Sequence, residues 1–166
     1  MAATLRLFIG LWPDAAARDA MAQWQREWRW PPGARPTPAE RLHLTLHFLG
    51  QVEAARLPAL AAGLQLPPFE PFEIALGRAE CWPGGLEVLC PHALPEELAQ
   101  LHRELGEALL RLGMAPEARP FRPHVTLARR AGAALAPMEA IDLRWRVEGY
   151  ALVLSERGYR TLASYP

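Results

Sequence analysis

The sequence predicts an α+β fold of antiparallel strands with helices on the outer faces, and three observations carry that prediction. Segments of strand period and of helix period follow in the order strand-helix-strand-helix-strand-strand-helix-strand-strand-strand, which is no repeating strand–helix unit. No linker divides the 166 residues, a length that fits one domain or two small lobes sharing a core. Apolar residues make up 51% of the chain, enough to fill that core.

Leu5 to Trp12 reads as a first strand, buried along most of its length and punctuated by Pro13-Asp14. Asp14 is placed to cap a helix running to about Trp28, with Ala17, Met21, Trp24 and Trp28 as its apolar stripe. Trp30 to Pro38 holds four prolines in nine residues and is read as a loop. Leu42 to Leu49 alternates strictly and ends at Gly50, predicting a strand. A short helix is expected from Leu57, with Pro58 in its first turn, stopping before Gly63. Phe72, Ile74 and Leu76 alternate in another strand, and Pro83-Gly84-Gly85 turns the chain into Leu86–Cys90 as a hairpin. Pro95-Glu96-Glu97 opens an amphipathic helix with Leu98, Leu101, Leu105, Leu109 and Leu112 on one face and Gly113 at its end. The strand His124–Ala128 follows a proline-rich loop. Trp145, Val147, Gly149, Ala151 and Val153 alternate in one long strand, and Tyr159–Leu162 forms a last one.

Composition removes several kinds of chemistry. All 18 basic residues are arginine, which excludes a P-loop lysine, a Schiff-base lysine and a Ser–Lys dyad. A formal net charge of +0 is unlike a generic polyanion binder or a charged tail. Two cysteines, Cys81 and Cys90, make no disulfide framework, and they flank the hairpin turn unequally, so no bridge is expected. No apolar run reaches a membrane span, and Met1–Trp12 lacks the features of a secretory signal. A cytoplasmic protein is expected.

One tetrapeptide form occurs twice. His43-Leu44-Thr45-Leu46 and His124-Val125-Thr126-Leu127 are both His-x-Thr-Leu, each in a predicted strand just after a proline-containing loop, in a chain of five histidines. Along a strand, alternate residues share a face about 6.6 Å apart. Each motif therefore turns an imidazole and a hydroxyl to one side and two apolar side chains to the other. Two such strands brought together surround one space with two histidines and two threonines. Imidazoles with pKa near 6.5 suit paired acid and base work near neutral pH. One takes a proton from water, the other gives one to a leaving oxygen, the hydroxyls donate to phosphate oxygens, and a nearby arginine neutralises charge on phosphorus. That is a device for opening a phosphodiester, above all a strained cyclic one, and no metal or other cofactor is expected.

These residues resemble the two-histidine phosphoesterase superfamily, and within it the RNA 2′,3′-cyclic phosphodiesterases, also called 2′-5′ RNA ligases. The likeness rests on Leu42–Gly50 and Phe121–Arg129 as the two signatures, with Arg6–Ile9 and Tyr159-Arg160-x-Leu162 resembling the opening and closing strands. It implies one domain over residues 1–166, with two pseudo-symmetric antiparallel β-sheet lobes and outer helices around a central cleft. It implies hydrolysis of an RNA or nucleoside 2′,3′-cyclic phosphate to a 2′-phosphomonoester, with His43 as proton donor and His124 as proton acceptor. Thr45 and Thr126 would hold the phosphate. Arg129 matches the arginine after the second motif, whereas strict alternation puts Arg130 on the face of His124, so both are carried as substrate-binding candidates. By microscopic reversibility, the resemblance also implies that the same histidine pair could form a 2′-5′ linkage when a 5′-hydroxyl replaces water. The expected partners are RNA ends or cyclic nucleotides, met by a monomer without a membrane.

Other features stand apart. Alternation places His47 on the face of His43, about 13 Å away, too far to share a metal ion. His92 and His102 are read as structural or solvent-facing, and Trp24, Trp28 and Trp145 as packing. Trp30 and Trp82 adjoin loops and could stack on a base. Arg35, Arg41, Arg119 and Arg122 surround the motif loops, where they could guide an RNA backbone. Two alternatives remain open. The same chemistry could act on another small cyclic nucleotide or a 2′-5′ oligonucleotide. An RNA-binding module without turnover would instead carry aromatic ladders on its sheet.

Overall fold

The computed structural model describes residues 2–166; Met1, the first residue of the stretch tested as a secretory signal, lies outside them. The strands are β1 (Thr4–Leu11), β2 (Arg35–Pro36), β3 (Leu44–Glu53), β4 (Phe72–Trp82), β5 (Leu86–Pro91), β6 (Val125–Arg129), β7 (Leu143–Val147), β8 (Tyr150–Ser155) and β9 (Tyr159–Tyr165). The helices are α1 (Ala15–Arg26), α2 (Leu57–Gly63) and α3 (Glu96–Arg111). The Asp14 carboxylate caps α1 by accepting from the Ala17 N–H at 2.8 Å. Leu98, Leu101, Leu105 and Leu109 of α3 are buried, each contributing roughly 1.5–3 kcal/mol through its removal from water.

All strand pairs are antiparallel, in the order β7-β4-β5-β6-β3-β1-β8-β9, with β2 added beside β6. β3 and β6 are joined at one residue pair, Leu44 with Val125. That narrow joint separates two four-stranded lobes, β3-β1-β8-β9 and β6-β5-β4-β7. Each lobe presents its motif strand at the joint. α1 packs on β7 and α3 on β3.

The structure corrects the expected long strand around Gly149. β7 ends at Val147 beside β4, and β8 begins at Tyr150 beside β1, at the other side of the sheet order. Three residues reach only about 11 Å, so the sheet must curl to bring these strands together. A Cβ on Gly149 would clash with the Tyr165 carbonyl oxygen, so glycine permits the crossing. The phase inverts there: Tyr150, Leu152 and Leu154, rather than Ala151 and Val153, continue the core of Trp145 and Val147. The proline-rich loop also contributes more than a connection, because Arg35-Pro36 pairs with Arg129-Ala128 as β2.

Candidate active site

β3 and β6 each begin one residue after a motif histidine. Extending the Leu44–Val125 register by one step either way sets His43 across from Thr126 and Thr45 across from His124. The apolar partners Leu44, Leu46, Val125 and Leu127 are buried, while both histidines and both threonines are half-buried. In each motif the imidazole Nδ1 lies 2.7 Å from the carbonyl oxygen two residues earlier, Arg41 for His43 and Arg122 for His124. A carbonyl only accepts, so Nδ1 carries the proton, and Nε2 is the nitrogen left for chemistry. The His43 Nε2 lies 3.0 Å from the Thr45 hydroxyl.

Strand irregularities decide which neighbours join the motifs. Gly10 pairs with Thr45 and Ile9 with His47, so Leu46 is an extra residue in β3. The bulge moves His47 off the face of His43. Its Nε2 donates to the His102 carbonyl oxygen at 2.8 Å, its ring stacks on that of His102 at 4.1 Å, and it is buried. Phe48 takes the cleft-side place that alternation gave to His47, and is 41% exposed. In β6, Val88 pairs with Thr126 and Glu87 with Ala128, so Leu127 is likewise extra. Arg129 therefore lines the cleft, while Arg130 lies outside it in a left-handed turn with φ of 53°.

A cavity of about 340 Å³ holds His43, Thr45, His124, Thr126 and Arg129 together. Arg35 and Arg41 line it too. Phe8, Trp12 and Tyr159 surround His43 with ring centroids 5.0–5.1 Å away, Trp12 stacked at 14° and Tyr159 edge-on. His124 has Trp82 at 4.4 Å, and the Arg122 guanidinium lies 4.2 Å over the Trp82 ring. Burial holds both imidazoles below their ordinary pKa, against the opposing pull of their carbonyl partners. His124 and Arg129 press His43 further down, and Arg122 and Arg129 do the same to His124. Both are thus held neutral at neutral pH.

The walls around the motifs are less visible in the sequence. Phe8, Gly10 and Trp12 alternate, which puts an aromatic, a gap and an aromatic on one face of β1. A Cβ at Gly10 would meet the Phe8 and Trp12 rings at 3.1 and 3.2 Å. The second motif is held from behind by groups that no motif marks. The Gln25 side-chain amide donates to the carbonyl oxygens of Leu127 and Thr37 at 2.7 and 2.8 Å. Thr37 binds Leu127 O through its N–H and Thr126 O through its hydroxyl, both at 2.8 Å.

A second cavity, of about 720 Å³, adjoins the first across Thr45, Phe48, His124 and Arg129. Trp82, Arg119 and Arg122 line it, as does His102, which was read as structural or solvent-facing. Trp30 does not reach either cavity; it stacks on Trp28 and donates to the Gln25 carbonyl. Trp24, Trp28 and Trp145 are core residues. Cys81 and Cys90 are free thiols, the latter pushed up to about 12 chiefly by burial. Among the described residues no group of three or more His, Cys, Asp or Glu side chains is arranged to hold a metal ion, and no helix is long and apolar enough to cross a membrane.

Residues 12–158 match the family model of the 2′-5′ RNA ligase superfamily. The chain is 37% identical over 165 residues to the RNA 2′,3′-cyclic phosphodiesterase of Thermus thermophilus, covering 92% of this chain and 82% of that one. It is 33% identical over 155 residues to the Escherichia coli protein of the same name, covering 90% and 86%. The crystal structure of E. coli LigT complexed with 3′-AMP superposes with a TM-score of 0.84 at 30% identity, covering 98% of this chain and 97% of that one.

Proposed function

Because the chain belongs to the 2′-5′ RNA ligase superfamily, we propose that it hydrolyses RNA or nucleoside 2′,3′-cyclic phosphates to 2′-phosphomonoesters. The observation that carries this reading is the matched pair of imidazoles. Each is fixed through Nδ1 to a backbone carbonyl and lines one cavity with two threonine hydroxyls and Arg129. In this reading residues 1–166 act as one two-lobed domain. It functions as a monomer, since each lobe supplies one motif to a site complete within the chain. The free thiols and the RNA substrate fit a cytoplasmic enzyme.

The reaction starts with one proton on the histidine pair. A bound phosphodiester anion about 5 Å from an imidazole favours protonation by about 3 kcal/mol at an effective dielectric of 20, which opposes the effect of burial. In this reading the proton is on His43, and Arg122 and Arg129 press His124 toward its neutral form. Neutral His124 takes a proton from water through Nε2 as the water oxygen attacks phosphorus in line with O3′. His43 gives its Nε2 proton to O3′ as the P–O3′ bond breaks, leaving phosphate on O2′. Thr45 and Thr126 donate to the non-bridging oxygens, and Arg129 balances the added negative charge. Solvent then returns the proton from His124 to His43. The imidazoles supply both proton transfers, so no metal enters the scheme.

Product analysis on a 2′,3′-cyclic nucleotide in EDTA tests this, with wild type, His43→Ala and His124→Ala. The wild type yields a 2′-phosphate, and each variant loses about 10²–10⁴-fold in kcat, the usual contribution of a positioned acid or base. A 3′-phosphate would place the acid at the wrong oxygen. An absence of turnover on mononucleotides and cyclic-ended RNA would favour the binding-module alternative.

A further inference from the structure

The two motif histidines are anchored alike, but the backbone that anchors them is held in different ways. Each gives its Nδ1 proton to a carbonyl oxygen two residues earlier, at 2.7 Å. For His43 that carbonyl belongs to Arg41, the last residue of a single helical turn, Ala39–Arg41. The turn is closed by the Arg41 N–H on the Pro38 carbonyl oxygen at 2.9 Å and by the Leu42 N–H on that of Ala39 at 3.2 Å. For His124 the carbonyl belongs to Arg122, in a stretch between α3 and β6 that is neither helix nor strand. Among the described residues, no backbone–backbone hydrogen bond reaches residues 115–123. A carbonyl that selects a tautomer and aims a ring must itself be fixed, so here the fixing falls to side chains.

Stacked rings do it. Phe121, the residue before Arg122, lies on the His102 ring of α3 at 3.9 Å, with 10° between the planes. The His102 ring lies in turn on that of His47 at 4.1 Å and 14°. His47 is buried on β3, and its Nε2 donates to the His102 carbonyl oxygen at 2.8 Å, which ties the last ring of the stack to the helix backbone. Beyond Phe121, the Arg122 guanidinium lies 4.2 Å over Trp82 at the end of β4, and Trp82 meets the His124 ring at 4.4 Å. Flat faces in contact over many atoms hold distance and orientation together. The exposed Glu117–Arg119 pair joins two residues of the same stretch and gives it no tie to the body of the fold.

We propose that His102 is a positioning residue for the second motif: its ring, braced by His47, seats Phe121 and so fixes the Arg122 carbonyl that sets the tautomer and aim of His124. Gln25 and Thr37 hold the same motif from its other end, at Leu127 and Thr126. His102 does not line the cavity that contains both motif histidines, so it acts through its neighbours and not on the cyclic phosphate. The proposal rests on His124 being the base of the hydrolytic reading.

The test compares His102→Ala, Phe121→Leu and His102→Phe with wild type. It measures turnover of a 2′,3′-cyclic mononucleotide and, by imidazole nitrogen NMR in mildly alkaline solution, the tautomers of His43 and His124, whose signals are assigned with the alanine variants. Wild type shows the Nδ1–H tautomer at both. His102→Ala and Phe121→Leu bring His124 to a mixture of tautomers, leave His43 as it was, and lower kcat about tenfold with KM nearly unchanged. His102→Phe, which keeps a flat ring against Phe121, restores kcat and the His124 tautomer. An unmoved His124 tautomer in both His102→Ala and Phe121→Leu would overturn the proposal. So would a change at His43 equal to that at His124, which marks a general loosening of the fold. An equal loss in His102→Phe would also overturn it, giving the role to the imidazole and not to the stack. If the wild type opens no cyclic phosphate, the hydrolytic reading fails, and the NMR comparison still decides whether His102 positions His124.

Discussion

Gln25 lies on α1 outside both site cavities, yet replacing it should disturb the second motif. It is 6% exposed, and its one amide nitrogen donates to Leu127 O at 2.7 Å and Thr37 O at 2.8 Å. Leu127 is the bulge residue between Thr126 and Arg129, so this amide holds the irregularity that turns Arg129 into the cleft. Gln25→Met keeps the volume and removes both donors. Leu127 O retains the Thr37 N–H, so it is weakened rather than orphaned. Thr37 O is half-buried and loses its side-chain partner. Two net hydrogen bonds at about 0.5–1.5 kcal/mol each, with partial rescue by water, give a loss of about 2 kcal/mol. For a chain of this size that is a fall in Tm of about 4–8 °C. Loosening the bulge also costs kcat about tenfold, since ångström-scale displacement of a positioned group is felt steeply. Thermal melts and steady-state hydrolysis read the two effects. A Gln25→Met protein with the wild-type Tm and kcat would refute the claim that this amide sets the bulge. Gln25→Glu adds a sharper check. Its carboxylate faces two carbonyls at neutral pH and should be worse than methionine, then recover in acid as the carboxyl gains a proton to donate.

Three further outcomes are expected. Burial pulls His102 down to about 4, with His47 pressing the same way, so this group binds protons more readily when the chain unfolds. Its contribution to stability is complete above the unfolded pKa of about 6.5 and is lost as pH falls toward 4; melts across that window should show His102→Phe with a shallower loss than wild type. Trp12→Leu removes the ring stacked on His43 and readmits water, so the His43 pKa rises toward its ordinary value and the alkaline limb of the kcat/KM profile moves to higher pH; an unmoved limb would mean the stack does not contribute to the desolvation. Gly149→Ala places a Cβ against the Tyr165 carbonyl and should cost more than about 2 kcal/mol, read by denaturant unfolding as a lower midpoint with the same slope.

The elements and the motif pair were legible because they depend on local pattern. Asp14 as a cap, the leucine stripe of α3, the Gly84-Gly85 turn and the two His-x-Thr-Leu strands each need only a few neighbouring residues to be read. The faces of β3 and β6 beyond Leu46 and Leu127 were not legible by alternation, because one extra residue in either strand reverses every later side chain. For β3 the irregularity lies opposite Gly10 of the partner strand, which allows close approach to the Leu44 carbonyl, 3.3 Å from where its Cβ would be. A glycine inside an otherwise apolar strand is itself a sign of a bulge or close approach, and Gly10 is the residue that could have redirected attention from His47 to Phe48. Alternation pointed to Arg130 and the family resemblance to Arg129; the bulge at Leu127, opposite β5, puts Arg129 in the cleft. Contacts such as Gln25 with Leu127, 102 positions apart, have no local pattern at all.

The two motifs are alike in sequence and in backbone geometry, yet the proposed reaction needs them to do opposite things. A symmetric pair could open the ring in either sense, so direction must come from surroundings that differ. Aromatic rings enclose His43 on several sides, whereas His124 has the Arg122 guanidinium stacked on its Trp82 neighbour and is pressed by both Arg122 and Arg129. In the proposed reaction the substrate's charge brings one proton to the pair, and the arginines pressing on His124 favour its neutral form. The same difference shapes the space: the aromatic box closes around His43, while the Trp82–Arg122 stack leaves His124 open toward the second cavity. An enclosed acid and an open base suit a reaction in which the leaving oxygen stays tethered to its nucleotide and the attacking oxygen must arrive from outside.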